Sequence, residues 1–558
     1  MSLIKALCVL LVIPMSGFLV SSWMLSDVNA PELERVVLLR LASVLSAGIG
    51  VLLLASFSII ARYAGTSRER IANAFPRLVV VSVVTLSVLM LAQGGILIYG
   101  AYLAKPYATG RAQFAITGLI ATGVVVVVLA LIRSSVQLAR RQTLTVFGEL
   151  LDLERSPRIR GMIEEVAQTL GARPPENVVV GLEPRFYATT ADIHLVGQDK
   201  FVKGETLFLS LPLSRIFSYV EIKSIVGHEL SHFRGSDTSY TMKFAPVYAG
   251  LASGVVALSR DKAGSTANLR KIPARFVLSY MMKVFDNNVS AISRAREFEA
   301  DSAAAELGNR VALVTALLKL SLYGSAWYNL QANTINRMSK GRISRNLGRL
   351  FSGIVRYDVV EDNIERAVDN ALRETTAHPL DSHPPTQQRM DHLGVTLADL
   401  DKSSLVIADD LNPELIADRE DIEERLSVLQ HNYYATLGIR VPDAPVTDGL
   451  MLFAAVCAHM IRADGIVDKS EVLKAEAIGR SVSEEFDHIS LREYCEHPDL
   501  LPDLDLVIEA ISSLPDETRR SVVDCVSKIA IADDNVSADE GALLAKIRSG
   551  LGLGLAGT

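Results

Sequence analysis

Gly227-His228-Glu229-Leu230-Ser231-His232 is the stretch that decides how the rest of the chain is read. It sits inside Tyr219 to Phe233, where apolar residues recur at helical spacing. Residues four apart on a helix stack on one face, so His228 and His232 can present imidazole nitrogens to one Zn²⁺. Glu229 lies one residue round the helix, where its carboxylate can take a proton from a metal-activated water and pass it to a leaving amine. Ile222, Ile225 and Val226 supply an apolar face that buries the helix beside such a site. The competing reading is a chance match on a buried amphipathic helix, which the chain's 10 histidines make rare.

Zinc hydrolysis needs a third protein ligand and one open position. Ser293-Arg294-Ala295-Arg296-Glu297-Phe298-Glu299-Ala300-Asp301 leads into an Ala-rich helix, and its Glu297 and Asp301 are again four apart. Glu297 is the expected ligand, with Asp301 accepting a hydrogen bond from a ligand histidine and fixing its tautomer. At 100° per residue these two lie within about 40° of each other, whereas Glu299 is about 200° from Glu297. A solvated acidic face is the alternative for this run. Around the motif, Phe147 to Leu170 has helical spacing ended by Gly171 and Pro174-Pro175, and Val178 to Leu182 and Thr206 to Leu213 read as strands. The fold expected is a mainly α (α+β) domain of zincin type.

Three ordered signatures, Gly227 to His232, Arg296 to Asp301 and Ser382-His383-Pro384-Pro385-Thr386-Gln387-Gln388-Arg389, resemble the HtpX and CAAX prenyl protease family of membrane zinc metallopeptidases. The resemblance covers about residues 147–400. It implies peptide-bond hydrolysis, Zn²⁺ as cofactor, Glu297 as third ligand, and His383 and Arg389 near the substrate, helping to hold the oxyanion. A Pro-stiffened turn is the structural alternative for that last pair. The strand at Thr206 to Leu213, just before the zinc helix, suggests how a peptide would bind: in proteases of this class an edge strand pairs with extended substrate, and which strand does so stays open. HtpX-like proteins place clear membrane spans between the two zinc motifs, whereas here Phe244 to Leu258 and Phe276 to Phe285 are short, so membrane contact there stays open.

Leu41 to Ala61, Leu78 to Leu103 and Phe114 to Ile132 carry no charge and are each long enough to cross a hydrocarbon layer of about 30 Å. Ala6 to Leu25 is either a fourth span or a signal segment cut after Val28-Asn29-Ala30. Arg62, Arg68, Arg70 and Arg77 in one loop, and Arg133, Arg140 and Arg141 after the last span, put both on the cytoplasmic side by the positive-inside rule. The expected protein is multi-pass, in the inner or plasma membrane of a bacterium, with everything after Arg133 cytoplasmic. The four cysteines, without a C-x-x-C pair, fit a reducing compartment. A net charge of −7 leaves no basic field for nucleic acid.

The 558 residues are too many for one core. They divide into 1–140 (membrane domain), 141–400 (metallopeptidase), 401–445 (acidic helical linker) and 446–558. The last carries an internal repeat, Ala463 to Glu471 echoed by Ala532 to Glu540, in which Asp468 with Glu471 and Ser537 with Glu540 make capping boxes. It resembles the TerB (tellurite resistance) domain, an all-α module. A divalent-metal role for Asp464, Asp468, Asp533 and Asp534 competes there with capping and surface charge. The partners expected are protein or peptide substrates, the lipid bilayer, and a protein bound through the C-terminal domain. The alternative from another class is a membrane-tethered binding or sensing protein whose TerB-like domain carries the function.

Overall fold

The computed structural model describes residues 2–26, 30–103, 122, 143–196, 198–234, 240, 243–259, 266–307, 309–358, 363–373, 384–407, 415–442, 449–483, 486–531 and 537–553. Three long apolar helices come first, α1 (Ser2–Met24), α2 (Ala30–Ala64) and α3 (Arg68–Leu103). α2 and α3 contain the runs from Leu41 and Leu78, α1 covers the first run as far as Met24, and each is long enough to cross a membrane. Their outer faces are apolar: on α2, Leu38, Leu45, Leu52 and Ile59 recur every seventh residue and are all exposed. That stripe suits lipid, because water would meet a continuous hydrophobic patch. The run Phe114 to Ile132, apart from Thr122, lies outside the described residues, as do Arg133, Arg140 and Arg141.

Two small sheets follow. One holds β1 (Thr143–Val146), β5 (Asp192–Leu195) and β6 (Lys200–Val202). The other runs in the order β2 (Gly148–Leu150), β3 (Asn177–Gly181), β7 (Thr206–Ser210), β4 (Tyr187–Thr189). β3 and β7 are parallel, and β2 and β4 flank them antiparallel. Gly148 pairs with Gly181, and a Cβ on either would sit 2.7 Å from a backbone oxygen, of Val180 or Phe147 respectively. Glycine is required at both because a backbone atom cannot swing away as a side chain can.

The helix expected over Phe147 to Leu170 is corrected here. Its first part is strand, and α4 (Pro157–Leu170) starts only after Ser156. Proline suits the first helical turn, and it pushes the residue before it out of the helical region. Gly171, at φ 61°, ends the helix as expected. The strand expected to Leu213 stops at Ser210, whose hydroxyl accepts from the Leu213 amide and caps α5 (Leu211–Ile216). The motif helix α6 (Tyr219–Ser231) opens on a Ser218–Glu221 capping box.

After α6 come α7 (Ala245–Ser259) and the 41-residue α8 (Thr266–Glu306). The two apolar stretches left open in the sequence pack against the membrane bundle. Phe75 of α3 makes edge contacts at 5.0 Å with Phe244 and Phe285, and Asn288 donates to the Ala61 carbonyl at 2.7 Å. α8 is therefore continuous from the bundle to the metal motif. α9 (Arg310–Ser339), α10 (Leu347–Val355), α11 (Ile364–Arg373), α12 (Thr386–Leu393) and α13 (Arg419–Thr436) complete the middle of the molecule. α9 is also long and apolar enough to span a membrane, but 56% of its apolar window is buried against 22–39% in α1 to α3. It is a core helix, with Leu313, Leu317 and Trp327 buried, packed against α6 and, through Trp327 on Phe351, against α10. The stretch expected as a linker joins the same core through Leu415, Ile416, Ile422 and Leu426. Glu423 of α13 is fully buried against Arg215, at 3.0 Å from Oε1 to Nε.

The C-terminal part is helical: α14 (Gly449–Ile461), α15 (Lys469–Val482), α16 (His488–Glu496), α17 (Leu504–Ser512), α18 (Asp516–Ala530) and α19 (Ala538–Gly550). They enclose a second core in which Cys457, Cys495 and Cys525 are buried. Both capping boxes of the repeat form. Asp533 and Asp534 lie outside the described residues.

Candidate metal centre

α6 and α8 cross at the motif. A Cβ on Gly227 would come 2.1 Å from Leu307 Cδ1 of the α8 end, so glycine lets that side chain lie directly on α6 just before His228. Across this contact, His228 Nε2 lies 3.3 Å from Glu297 Oε2, and His232 Nε2 lies 3.7 Å from Glu297 Oε1. The two imidazoles stand at 89° with centroids 5.2 Å apart. One ligand atom from each of His228, His232 and Glu297 falls within 4.8 Å of the others. All three side chains are buried.

Asp301, one turn beyond Glu297, has no exposed surface, and its Oδ1 meets His228 Nδ1 at 2.9 Å. With Nδ1–H donated to the carboxylate, Nε2 keeps its lone pair on the side of Glu297. Arg389 of α12 binds the same carboxylate through two nitrogens, Nε to Oδ2 at 2.8 Å and Nη2 to Oδ1 at 2.5 Å. Burial would raise the Asp301 pKa, but the Arg389 and His228 bonds outweigh it and hold the carboxyl below its ordinary range. Burial likewise lowers the His228 pKa, and the bonds to Asp301 and Glu297 override it, lifting it to about 9. Glu229, Glu297 and Asp301 set three buried carboxyl groups against the Arg389 guanidinium, a balance suited to a cation.

Glu229 is buried beside the two histidines, and its Oε2 accepts from the Ala188 amide of β4 at 3.0 Å. Glu299 points elsewhere, pairing with Arg68 of α3 at 2.7 Å. Arg389, expected near the substrate, instead stands behind His228. His383 lies outside the described residues. Sequence reasoning missed the backbone amide of Ala188, which leaves no side-chain signal. It also missed Lys319, which did leave one as a charged residue inside an apolar helix.

Two imidazoles and a carboxylate are a donor set that suits Zn²⁺, and among the described residues no fourth protein donor joins the cluster, which leaves the position a hydrolytic site needs. Together with Glu229, this defines a metallopeptidase. Comparison with known proteins gives the class: residues 154–396 match peptidase family M48, and residues 451–556 match the tellurite resistance protein TerB family. The chain is a membrane metalloprotease built from an M48 domain followed by a TerB domain. A "Protease HtpX homolog" of Archaeoglobus fulgidus is 24% identical over 242 residues, covering 42% of this chain and 67% of that protein. "Protease HtpX" of Cellvibrio japonicus is 24% identical over 241 residues, covering 41% of this chain and 77% of that protein. No solved structure matches.

Proposed function

We propose that the protein is a zinc endopeptidase that hydrolyses peptide bonds of polypeptides at the cytoplasmic face of its membrane, in membrane-protein quality control or protein maturation. The observation that carries this is the convergence of His228, His232 and Glu297 beside a buried Glu229. A Zn²⁺ held by those three would polarise the scissile carbonyl and lower the pKa of the attacking water. Glu229 takes the proton of that water and returns it to the leaving amine. Ala188 N–H holds one Glu229 oxygen, so the carboxylate is aimed before substrate arrives. Arg389 and Asp301 keep His228 in one tautomer and one orientation, a positioning role rather than contact with the oxyanion. β4 is the outer strand beside Glu229, and an extended substrate would add to its free edge.

Arg68 supports the cytoplasmic placement. It opens α3 just after the turn at 65–67, close to Arg62 and Arg70, and pairs with Glu299 on the helix that bears Glu297, which brings the site to the arginine-rich end of the bundle. Glu229→Gln tests the mechanism. The purified variant should retain zinc, about one per chain as in wild type, because the ligands are untouched. Its turnover of an unfolded protein substrate should fall by about 10²–10⁴-fold. Turnover within about tenfold of wild type at equal metal content would remove Glu229 from proton transfer.

A further inference from the structure

Acidic side chains on one helix of the C-terminal domain are buried against arginines of the peptidase. Glu493 of α16 pairs with Arg337 of α9 and accepts from Ser344 Oγ at 3.2 Å. Asp487, which caps α16, pairs with Arg342 at 2.6 Å. Glu496 takes Arg356 at 2.7 Å and the Tyr357 hydroxyl at 2.7 Å. In the opposite sense, Arg492 donates to Asp358 at 2.8 Å and to the Ile354 carbonyl at 2.9 Å. Apolar groups are exchanged as well: Ile489 of α16 is buried in the peptidase core, and Tyr357 in the C-terminal core. Exposed ion pairs hold little, but the Arg337 and Glu493 side chains are only 12% and 6% exposed, so removing one strands a desolvated charge.

α9 carries this contact toward the metal. Lys319, about 27 Å before Arg337 at 1.5 Å per residue, is buried and donates to the Ile216 carbonyl at 3.1 Å and to Glu221 Oε2 at 2.9 Å. The same Glu221 oxygen accepts from Ser218 N at 2.6 Å and so closes the capping box that starts α6. His228 and Glu229 follow two turns along that helix.

We propose that the C-terminal domain is a built-in brace of the peptidase: latched by α16 it fixes α9, and α9, through Lys319, fixes the start of the helix that bears His228, Glu229 and His232. The brace rests on the peptidase reading only for its effect on turnover.

The test uses the full chain in detergent micelles, with Glu493→Lys, Arg337→Glu, the double reversal and Lys319→Met. Hydrogen–deuterium exchange is read over 219–231, 331–339 and 487–496, alongside metal content and kcat/KM on casein. Each single reversal should speed exchange in all three segments and lower kcat/KM about tenfold, with zinc retained. The double reversal re-forms the pair in the opposite sense and should recover most of both. Lys319→Met should loosen 219–231 while 487–496 stays protected. The proposal is overturned if Glu493→Lys frees 487–496 while exchange over 219–231 and kcat/KM stay within about twofold of wild type. If the reversals do not fold, Glu493→Gln, which keeps the shape and removes only the charge, gives the same comparison. If even the wild type does not cleave casein, the peptidase reading fails, and exchange over 219–231 still decides the brace.

Discussion

Glu297 and Glu299 are two positions apart on one helix and meet opposite surroundings. The first faces the histidines and the second reaches the membrane turn at Arg68. The helical period alone separates them, which is why this much of the site could be read from Arg296 to Asp301. The Arg389–Asp301 pair could not, because its members are 88 positions apart and only the packing of α12 on α8 brings them together. Metal content of purified variants follows the geometry. Glu297→Ala should lose zinc and activity, Glu299→Ala should keep both, and Asp301→Ala should bind zinc roughly 10–100-fold more weakly because His228 loses its anchor. Arg389→Lys should fall between Asp301→Ala and wild type, since an ammonium keeps the charge but cannot make the two-nitrogen contact. A zinc-free Glu299→Ala beside a zinc-replete Glu297→Ala would reverse the assignment.

Strand β7 precedes the motif helix in the chain, yet it is flanked on both sides by β3 and β4; the outer strands are β2 and β4, and the one beside Glu229 is β4. Strand order is a long-range property, so sequence spacing could place strands near the motif but not say which one is outermost. The same limit explains the misread start of α4: apolar residues at Phe147, Leu150, Leu151 and Leu153 mimic a helical period, and the pairing of Gly148 with Gly181 overrides it. Capping signals were more dependable, because Asp468 with Glu471 and Ser537 with Glu540 each act within one turn. Ala188→Pro probes the β4 edge directly. The Ala188 amide is spent on Glu229, so proline there costs no ladder bond, and an outer strand tolerates it. Melting temperature and zinc should hold while kcat/KM falls at least about tenfold. Unchanged kcat/KM would show that neither the amide nor the edge serves the reaction.

Three large cores share the described residues, a membrane bundle, the peptidase and the C-terminal helices, with a small fourth between the two sheets. α8 runs through the first two, and α9 and α16 join the second to the third. The apolar runs announced the bundle because lipid demands uninterrupted hydrophobic length. The docking of the C-terminal domain was not legible, since its charges are scattered over 337–358 and 487–496 and look solvated until the helices meet. The shared helix α8 makes sidedness a property of the whole molecule. Asn288 is bonded to the end of α2, Glu299 to the start of α3, and Glu297 lies between them in sequence, so the metal centre and the turn at 65–67 lie at the same end of the bundle. The arginines that flank that turn on the ends of α2 and α3, Arg62, Arg68, Arg70 and Arg77, favour the cytoplasm. Reporters fused after Arg141 and after Thr558 should both be cytoplasmic, and one inserted near Pro31, at the far end of α2, should be exported. An exported reporter at Arg141 together with a cytoplasmic one at Pro31 would invert the protein, and its substrates would then be sought outside the cytoplasm.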